Sequence, residues 1–328
     1  MTGTEGNQFF CFTQLLGQEK AKLLLSRSLA ADRVPHAYIF RGPEGVGKRL
    51  FARGVAAAVN CRDIKRLGAC GVCSSCKKFR SMNHPDFLVV SPEKGVIKID
   101  QIRRLTKELS YPPYESAMRV VVLEDVQTMR REAANSLLKT LEEPPENNLL
   151  ILTAEASQDI LATLTSRCQV VPFAQLSIDD TVAILIRQGV ERQAASLMAR
   201  LSEGSPGKAL LFQKTEMIEL WRKVVSFLSD SAVDRDRDVG DLLSLAEKIA
   251  ALKEELPSLL GLLRIWLRDL LLGDVHDSAD KQDGDIHRKS WNSNDLFDKL
   301  QAIDRAEKEL SRNCNRTLVC EVLLFKLQ

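Results

Sequence analysis

The first residues that could do chemistry form a glycine-rich segment, Gly42-Pro43-Glu44-Gly45-Val46-Gly47-Lys48, which follows the apolar run 37–40 and precedes an amphipathic stretch. A glycine loop between a strand and a helix is the setting of a phosphate-binding loop, where backbone N–H groups surround a phosphate and the lysine reaches its outer oxygens. A glycine-rich turn without a ligand is the alternative. Arg49 departs from the pattern, because Ser or Thr at this position normally ligates Mg²⁺. We therefore expect a phosphate loop whose metal site is impaired.

A second candidate is the acidic pair Glu124-Asp125, which follows the apolar run 120–123. At the end of a buried strand, such carboxylates can hold Mg²⁺ and polarise an attacking water during phosphoryl transfer. The usual order in ATPases of this architecture is Asp and then Glu, so the pair is reversed here. Because the two side chains differ in length, the reversal misplaces both carboxylates and weakens the expectation of hydrolysis. An acidic pair that only caps the following helix is the alternative.

Four cysteines, Cys61, Cys70, Cys73 and Cys76, lie in one short segment with the spacing C-x8-C-x2-C-x2-C. Four thiolates can close a tetrahedral shell around Zn²⁺, and a shell without an open position is structural and not catalytic. An iron–sulfur cluster and unligated thiols are the alternatives. Basic residues in the same segment are more typical of a solvated face than of a nucleic-acid contact.

The remaining candidates are single residues. Arg167, in the segment Ser166-Arg167-Cys168, stands just before the last apolar run of the first half, and its residue type alone gives it no role. Cys11, Cys314 and Cys320 have no partner at a metal-binding spacing. We therefore expect these three cysteines to be buried apolar residues.

Composition limits the classes of protein that fit. The chain has 328 residues, with 46 Lys and Arg against 44 Asp and Glu, and 45% of its residues are hydrophobic. This length predicts about two or three globular domains, and this hydrophobic fraction excludes a mainly disordered chain. The net charge of +2 leaves only local patches for nucleic-acid contact. The first residues lack the features of a secretion signal, so we expect a protein of the reducing cytoplasm, without disulfides.

Elements that would position these residues follow from the hydrophobic pattern. Amphipathic helical stretches alternate with short apolar runs at 37–40, 87–90, 120–123, 149–153 and 170–171. This alternation is typical of a parallel sheet covered by helices. After residue 173 only helical periodicity remains, with a break at Gly204-Ser205-Pro206-Gly207. The apolar stretch 256–273 carries charged residues at helical spacing, so we interpret it as a core helix and not as a membrane span. The polar stretch 276–294 is typical of a solvated loop.

Taken together, the motifs resemble the bacterial clamp-loader branch of the AAA+ ATPases. The resemblance covers about the first 210 residues and rests on an ordered set of segments: Gly17-Gln18, His36-Ala37, GPEGVGK at 42–48, the four cysteines, LLKTLEEPP at 137–145, Ser166-Arg167-Cys168 and GSPGKAL at 204–210. It implies an α/β AAA+ (P-loop) parallel-sheet domain over residues 1–172, with a zinc-binding insertion at 61–80. A small helical lid domain at 173–213 and an all-α collar domain at 214–328 would follow.

Within this branch, departures from the motor type, gamma/tau, favour the non-motor type, delta-prime. Arg49, the reversed Glu124-Asp125 and Gly207, where the motor type carries a sensor arginine, all weaken hydrolysis, while Arg167 is intact. The resemblance implies that Arg167 acts as an arginine finger that completes the active site of a neighbouring ATPase subunit. It also implies that the chain has no ATPase activity of its own and holds no Mg²⁺. ATP or ADP binding by the degenerate glycine loop is left open.

Partners also follow from the resemblance. The chain would join gamma/tau and delta subunits in a hetero-pentamer of the DNA polymerase III holoenzyme, a DNA-directed DNA polymerase and nucleotidyltransferase. This assembly would load the sliding clamp onto primed DNA, at the replisome and nucleoid in the cytoplasm. Two other hypotheses remain. One is an active gamma/tau-type ATPase, and the other is a zinc-dependent nucleic-acid-binding module, which the near-neutral charge disfavours.

Overall fold

The computed structural model describes residues 11–31, 33–63, 68–155, 160–230, 239–272, 291–312 and 314–328. Most of the polar stretch 276–294 and part of the 61–80 insertion lie outside these residues, so the expectation of a solvated loop applies to a segment that is not described. The chain divides into two compact units, Met1–Lys208 and Ala209–Gln328. The finer division into three domains, with boundaries at 172 and 213, stays a prediction.

A five-stranded parallel sheet forms the centre of the first unit, with the strand order β2-β3-β4-β1-β5. Its strands are β1 (Ala37–Arg41), β2 (Phe87–Val90), β3 (Arg119–Leu123), β4 (Asn148–Ala154) and β5 (Gln169–Pro172). In the register of the sheet, Ile39 lies between Leu152 and Val170. All the apolar runs predicted to be strands are confirmed as strands of one sheet.

Helices lie before, between and after these strands along the chain. They are α1 (Glu19–Ala30), α2 (Lys48–Val59), α3 (Ser74–Arg80), α4 (Ile99–Leu109), α5 (Arg131–Glu142), α6 (Ala162–Thr165), α7 (Ile178–Arg187), α8 (Arg192–Leu201) and α9 (Pro206–Lys214). Helix α5 buries Ala133, Leu137 and Leu141 on one face and ends before Pro144-Pro145. The predicted break at 204–207 separates α8 from α9.

Both faces of the sheet are covered, because successive residues of a strand point to opposite faces. Tyr38 and Phe40 pack in one apolar cluster with Phe51 of α2. Ile39, which points the other way, packs in a second cluster with Leu137 of α5. Since the carboxyl ends of parallel strands meet at one edge of the sheet, the loops after β1 and β3 lie at the same edge, where open α/β sheets bind their ligands.

The second unit is helical, as predicted. Its helices are α10 (Met217–Asp230), α11 (Val239–Ala250), α12 (Leu256–Leu272), α13 (Ser293–Ser311) and α14 (Arg316–Leu327). Leu259, Leu263 and Leu267 of α12 are buried, so this helix belongs to the core of the unit, as predicted. Among the described residues, no helix is both long enough and apolar enough to cross a bilayer.

The isolated cysteines do not all behave alike. Cys11 and Cys320 are buried, as predicted, but Cys314 is exposed, so the prediction for Cys314 was wrong. Cys314 lies in the short turn between α13 and α14, directly before Asn315, whose side chain caps α14. A residue in such a turn has no helix face to pack against the core, and this explains its exposure.

Candidate functional site

The glycine loop has the geometry of a phosphate-binding loop. It connects β1 with α2, which begins at Lys48. Gly45 and Gly47 have φ values of 73° and 99°, in the left-handed region that only glycine adopts without strain. The N-terminus of α2 therefore points its backbone N–H groups toward the space above the loop, where a phosphate would bind.

Lys48 is buried and is held by the loop itself. Its Nζ donates hydrogen bonds to the carbonyl oxygens of Gly42 at 2.7 Å and Pro43 at 2.6 Å. Burial lowers the pKa of Lys48, and nearby carboxylates, above all that of Asp125, partly offset this effect. To reach a phosphate, the ammonium would have to exchange these two carbonyl acceptors for phosphate oxygens.

Arg49 forms ion pairs with both residues of the acidic pair. A guanidinium nitrogen of Arg49 lies 2.9 Å from Glu124 Oε2 and 3.3 Å from Asp125 Oδ2. Glu124 is buried and also accepts a hydrogen bond of 2.6 Å from Ser91 Oγ. Asp125 has a φ of 52°, and its N–H donates to Thr153 Oγ1 at the end of β4. The cation of Arg49 therefore contacts both carboxylates of the pair, of which one could hold Mg²⁺ and the other could polarise an attacking water.

The segment that begins α9 packs directly on the glycine loop. Ser205 Oγ donates to the carbonyl of Glu44 at 2.8 Å, and the Gly207 N–H donates to the carbonyl of Gly45 at 2.9 Å. A Cβ atom at Gly207 would lie 2.7 Å from Gly45 Cα, closer than real Cβ atoms approach. An arginine at position 207 would therefore require the two segments to separate, which accounts physically for the glycine found there.

Arg167 has its own set of partners, separate from the glycine loop. Its Nη2 donates to Glu142 Oε1 at 2.6 Å, and its Nη1 donates to the Thr163 carbonyl at 3.0 Å and to Ser166 Oγ at 3.3 Å. About a third of the side chain is exposed, at 35%. The guanidinium is therefore at the surface, at the turn between α6 and β5, and is paired within its own chain.

The four predicted metal ligands come together. The Sγ atoms of Cys61, Cys70, Cys73 and Cys76 all lie within 4.8 Å of one another. The Cys76 sulfur is 3.9 Å from that of Cys70 and 3.8 Å from that of Cys61. Backbone N–H groups donate to three of these sulfurs, for example the Cys76 N–H to Cys73 Sγ at 3.4 Å. This cluster could hold a metal ion such as zinc.

The thiols of the cluster differ in acidity. Hydrogen bonds from the backbone N–H groups of Val72 and Cys73 hold the pKa of Cys70 at about 6. Burial raises the pKa values of Cys61 and Cys76 above the ordinary range of a thiol. Because a metal binds thiolates, binding to this cluster would release protons from the buried thiols.

A buried polar cluster connects α3 with the sheet. His84 stacks on Phe79 of α3, with ring centroids 4.2 Å apart, and its Nδ1 accepts the N–H of Asp86 at 3.2 Å. Asp86 is fully buried and accepts three backbone N–H bonds from residues 114–116. Burial alone would raise the pKa of Asp86, but these hydrogen bonds outweigh it and hold the pKa below the usual range.

Several residues that the structure adds to the site were not predicted as site residues. Ser91 and Thr153 are short polar residues whose types carry no signal on their own. Ser205 lies in the predicted break at 204–207, which gave it no contact with the glycine loop. Glu142 lies within the segment LLKTLEEPP, which contributed only to the resemblance. Its pairing with Arg167 depends on the fold, since the two residues are 25 positions apart.

Comparison with known proteins places this geometry in a family. The family model described as DNA polymerase III, delta subunit, matches residues 17–177. DNA polymerase III subunit delta' of Bacillus subtilis strain 168 is 35% identical over 208 residues, which are 63% of this chain and 63% of that protein. Subunit delta' of Pseudomonas aeruginosa strain PAO1 is 30% identical over 320 residues, covering 89% of this chain and 91% of that protein.

Other subunits of the same enzyme are also similar. DNA polymerase III subunit tau of Escherichia coli K12 is 32% identical over 205 residues, which are 61% of this chain and 32% of that protein. A gamma subunit-related protein of Thermotoga maritima has the same fold, with a TM-score of 0.51 and 18% identity over 94% of this chain and 98% of that one. The chain thus spans less than two thirds of the B. subtilis and E. coli relatives, but nearly all of the P. aeruginosa protein. The chain belongs to the delta-prime family of DNA polymerase III subunits.

Proposed function

We propose that this chain is the non-motor, delta-prime subunit of a clamp loader, the assembly that loads the sliding clamp onto primed DNA. In this role the chain does not hydrolyse ATP, and it supplies Arg167 to the active site of a neighbouring ATPase subunit. The observation that carries the proposal is the contact of Arg49 with both Glu124 and Asp125, at 2.9 Å and 3.3 Å.

The contact matters because of what Mg²⁺ does in phosphoryl transfer. In an ATPase of this type the metal would be held by the loop hydroxyl and one carboxylate of the acidic pair, while the other carboxylate would polarise the attacking water. Arg49 replaces that hydroxyl, and its guanidinium cannot be deprotonated or exchanged for a metal ion. A Mg²⁺ ion would therefore have to displace a cation that is attached to the chain. This supports a site that does not hydrolyse ATP, whether or not the loop still holds a phosphate.

The role of Arg167 follows from electrostatics. A guanidinium directed at the transferred phosphoryl group accelerates hydrolysis by about 10³- to 10⁵-fold. A subunit whose own metal site is lost can therefore still control hydrolysis in its neighbour. The partial exposure of Arg167, at 35%, and its separation from the chain's own glycine loop support a role toward another subunit.

The metal that we propose for the cysteine cluster is zinc, in a structural role. Four thiolates at about 2.3 Å from one Zn²⁺ would be about 3.8 Å apart in a tetrahedron. Two of the sulfur separations, 3.8 and 3.9 Å, agree with that value, and all four sulfurs lie within 4.8 Å of one another. The thiolates of an iron–sulfur cluster bind several iron atoms and lie farther apart, so the geometry supports a single ion.

The partners that we propose are the gamma/tau and delta subunits, in a hetero-pentamer that acts on the sliding clamp and primed DNA. The assembly would work at the replisome, in the cytoplasm. Similarity to delta' subunits over most of the chain supports this assignment. The second unit, which is helical, would supply the collar that holds the subunits together.

The test is reconstitution with motor subunits. We expect the isolated chain to show no ATP turnover, and Arg167→Ala to lower turnover by the assembled complex without preventing assembly. The competing function, an active gamma/tau-type ATPase, has a specific observation in its favour, the 32% identity to E. coli tau. It predicts ATP turnover by the isolated chain that Lys48→Ala abolishes.

A further inference from the structure

The guanidinium of Arg167 is bound on two sides by its own chain. Nη2 donates to Glu142 Oε1 at 2.6 Å, the shortest of its hydrogen bonds, and Nη1 donates to the Thr163 carbonyl at 3.0 Å. The carbonyl is a neutral acceptor that lies four residues before Arg167. The carboxylate of Glu142 is the charged partner and lies on a different element. Of the two, Glu142 is therefore the partner that competes with another anion.

The location of Glu142 makes this pairing favourable in the free chain. Glu142 is the last residue of α5, where the partial negative charge of the helix C-terminus disfavours a carboxylate. A guanidinium beside it offsets this repulsion. Residues Glu142 and Arg167 would therefore pair whenever no stronger anion is near.

The pair is also open to exchange. The side chain of Glu142 is 49% exposed and that of Arg167 is 35% exposed. Ion pairs with this degree of exposure are weak and are screened by salt. A phosphate carries more negative charge than a carboxylate, and it accepts hydrogen bonds from the same guanidinium nitrogens of arginine. A phosphoryl group that approaches this surface would therefore compete directly with Glu142 for Nη2.

We propose that Glu142 is a competing counter-ion for Arg167. In the free subunit Glu142 holds the guanidinium of Arg167, and the nucleotide phosphate of a neighbouring subunit displaces Glu142 from it. This inference rests on the proposed function. Glu142 is then a positioning residue that acts through Arg167, and it opposes engagement of the finger. Arg167 would leave Glu142 only where a bound triphosphate offers a stronger anion, so the finger would respond to the occupancy of the neighbouring site.

The test is Glu142→Gln in the complex reconstituted with motor subunits. Glutamine keeps the size of the side chain and an oxygen that accepts a hydrogen bond, but it removes the charge. We expect ATP turnover at saturating ATP to rise by up to about fivefold at low salt. The ratio to wild type should fall toward one at high salt, where the screening length is about 3 Å in ~1 M salt. A role in folding alone would not produce this salt dependence.

The matched control is Glu143→Gln, which removes the same charge from the next residue, also exposed. We expect it to behave as wild type. The proposal is overturned if Glu142→Gln leaves turnover unchanged, lowers it, or raises it equally at all salt concentrations or together with Glu143→Gln.

The double variant separates this inference from the proposed function. In an Arg167→Ala background, Glu142→Gln should have no further effect, because the group that it restrains is gone. A further rise in that background would overturn the counter-ion role. If Arg167→Ala alone leaves turnover at the wild-type level, the finger role itself fails. If Arg167→Ala lowers turnover while Glu142→Gln is silent, only the counter-ion role fails.

Discussion

At the scale of single residues, Arg49 partly neutralises the acidic pair Glu124-Asp125. Glu124 is buried, and a buried carboxylate needs a compensating charge or several hydrogen bonds. In a motor subunit Mg²⁺ would supply that charge when nucleotide binds. Here Arg49, whose side chain is 62% exposed, supplies the charge at 2.9 Å, and Ser91 supplies a hydrogen bond at 2.6 Å. In the proposed function, Glu124 and Asp125 therefore form ion pairs within the chain instead of binding a metal.

Removing this cation should expose its role. In Arg49→Thr we expect the free energy of unfolding to fall by roughly 1–3 kcal/mol, between the values for exposed and buried ion pairs. We also expect Mg²⁺ to stabilise the variant more than wild type, because threonine provides a hydroxyl ligand beside free carboxylates. Thermal unfolding with and without Mg²⁺ measures both effects, and Arg49→Lys serves as the charge-retaining control. Equal stability of Arg49→Thr and wild type under both conditions would contradict this account.

His84 gives a second prediction at this scale. Burial lowers its pKa below the usual value of about 6.5, and nearby carboxylates only partly offset this. Between the lowered pKa and about 6.5 the unfolded chain binds more protons, so stability should rise with pH in that window and level off above it. For one group the slope cannot exceed about 1.4 kcal/mol per pH unit. His84→Gln should reduce the slope of stability against pH, which urea unfolding at constant metal content measures. An unchanged slope would exclude His84 as the source of the pH dependence.

At the scale of elements, α3 depends on the cysteine cluster. The helix has only seven residues, Ser74–Arg80, and Cys73 caps its N-terminus. Helices this short are marginal in water on their own. The sulfur cluster holds one end of it, and the stacking of Phe79 on His84 and hydrogen bonds from Arg53 to the carbonyl oxygens of Phe79 and Arg80 hold the other. Loss of the metal should therefore loosen the N-terminal end of α3 first.

With the zinc proposed for the cluster, Cys76→Ser should lower the metal content and the melting temperature of the first unit. The Cys76 side chain is buried, and its sulfur contacts the sulfurs of two other candidate ligands. Metal analysis and thermal unfolding measure the two effects, and a chelator should reproduce the second with wild type. Cys314→Ser is the control, because this exposed cysteine lies outside the cluster. A metal-free Cys76→Ser protein as stable as wild type would show that zinc does not support the fold.

How far the sequence predicts these elements depends on how local their signals are. The strands, the glycine loop and the four cysteines are recognisable because each signal lies within a few residues. The pairing of Arg49 with Glu124 and Asp125 joins residues about 75 positions apart, and only the parallel order of β1 and β3 brings them together. The exposure of Cys314 was not predictable from spacing, because it depends on where α13 ends.

At the scale of the whole molecule, the candidate functional residues lie in the first of the two units. The first unit carries the glycine loop, the acidic pair, Arg167 and the metal cluster, and the second is helical. A net charge of +2 gives the whole chain little electrostatic attraction for DNA. We therefore expect other subunits of the proposed assembly to contribute most of the DNA contacts. In the proposed function, the chemistry of this subunit is therefore expressed only in a complex.

One measurement tests this claim most directly, steady-state ATP hydrolysis by the isolated chain and by its complex with motor subunits, each with wild type and Arg167→Ala. We predict no turnover by the isolated chain. We predict that Arg167→Ala slows hydrolysis at the adjacent site by about 10³-fold or more while the complex still assembles. Turnover by the isolated chain at the rate of the complex, or an Arg167→Ala complex that hydrolyses ATP as fast as wild type, would contradict the account.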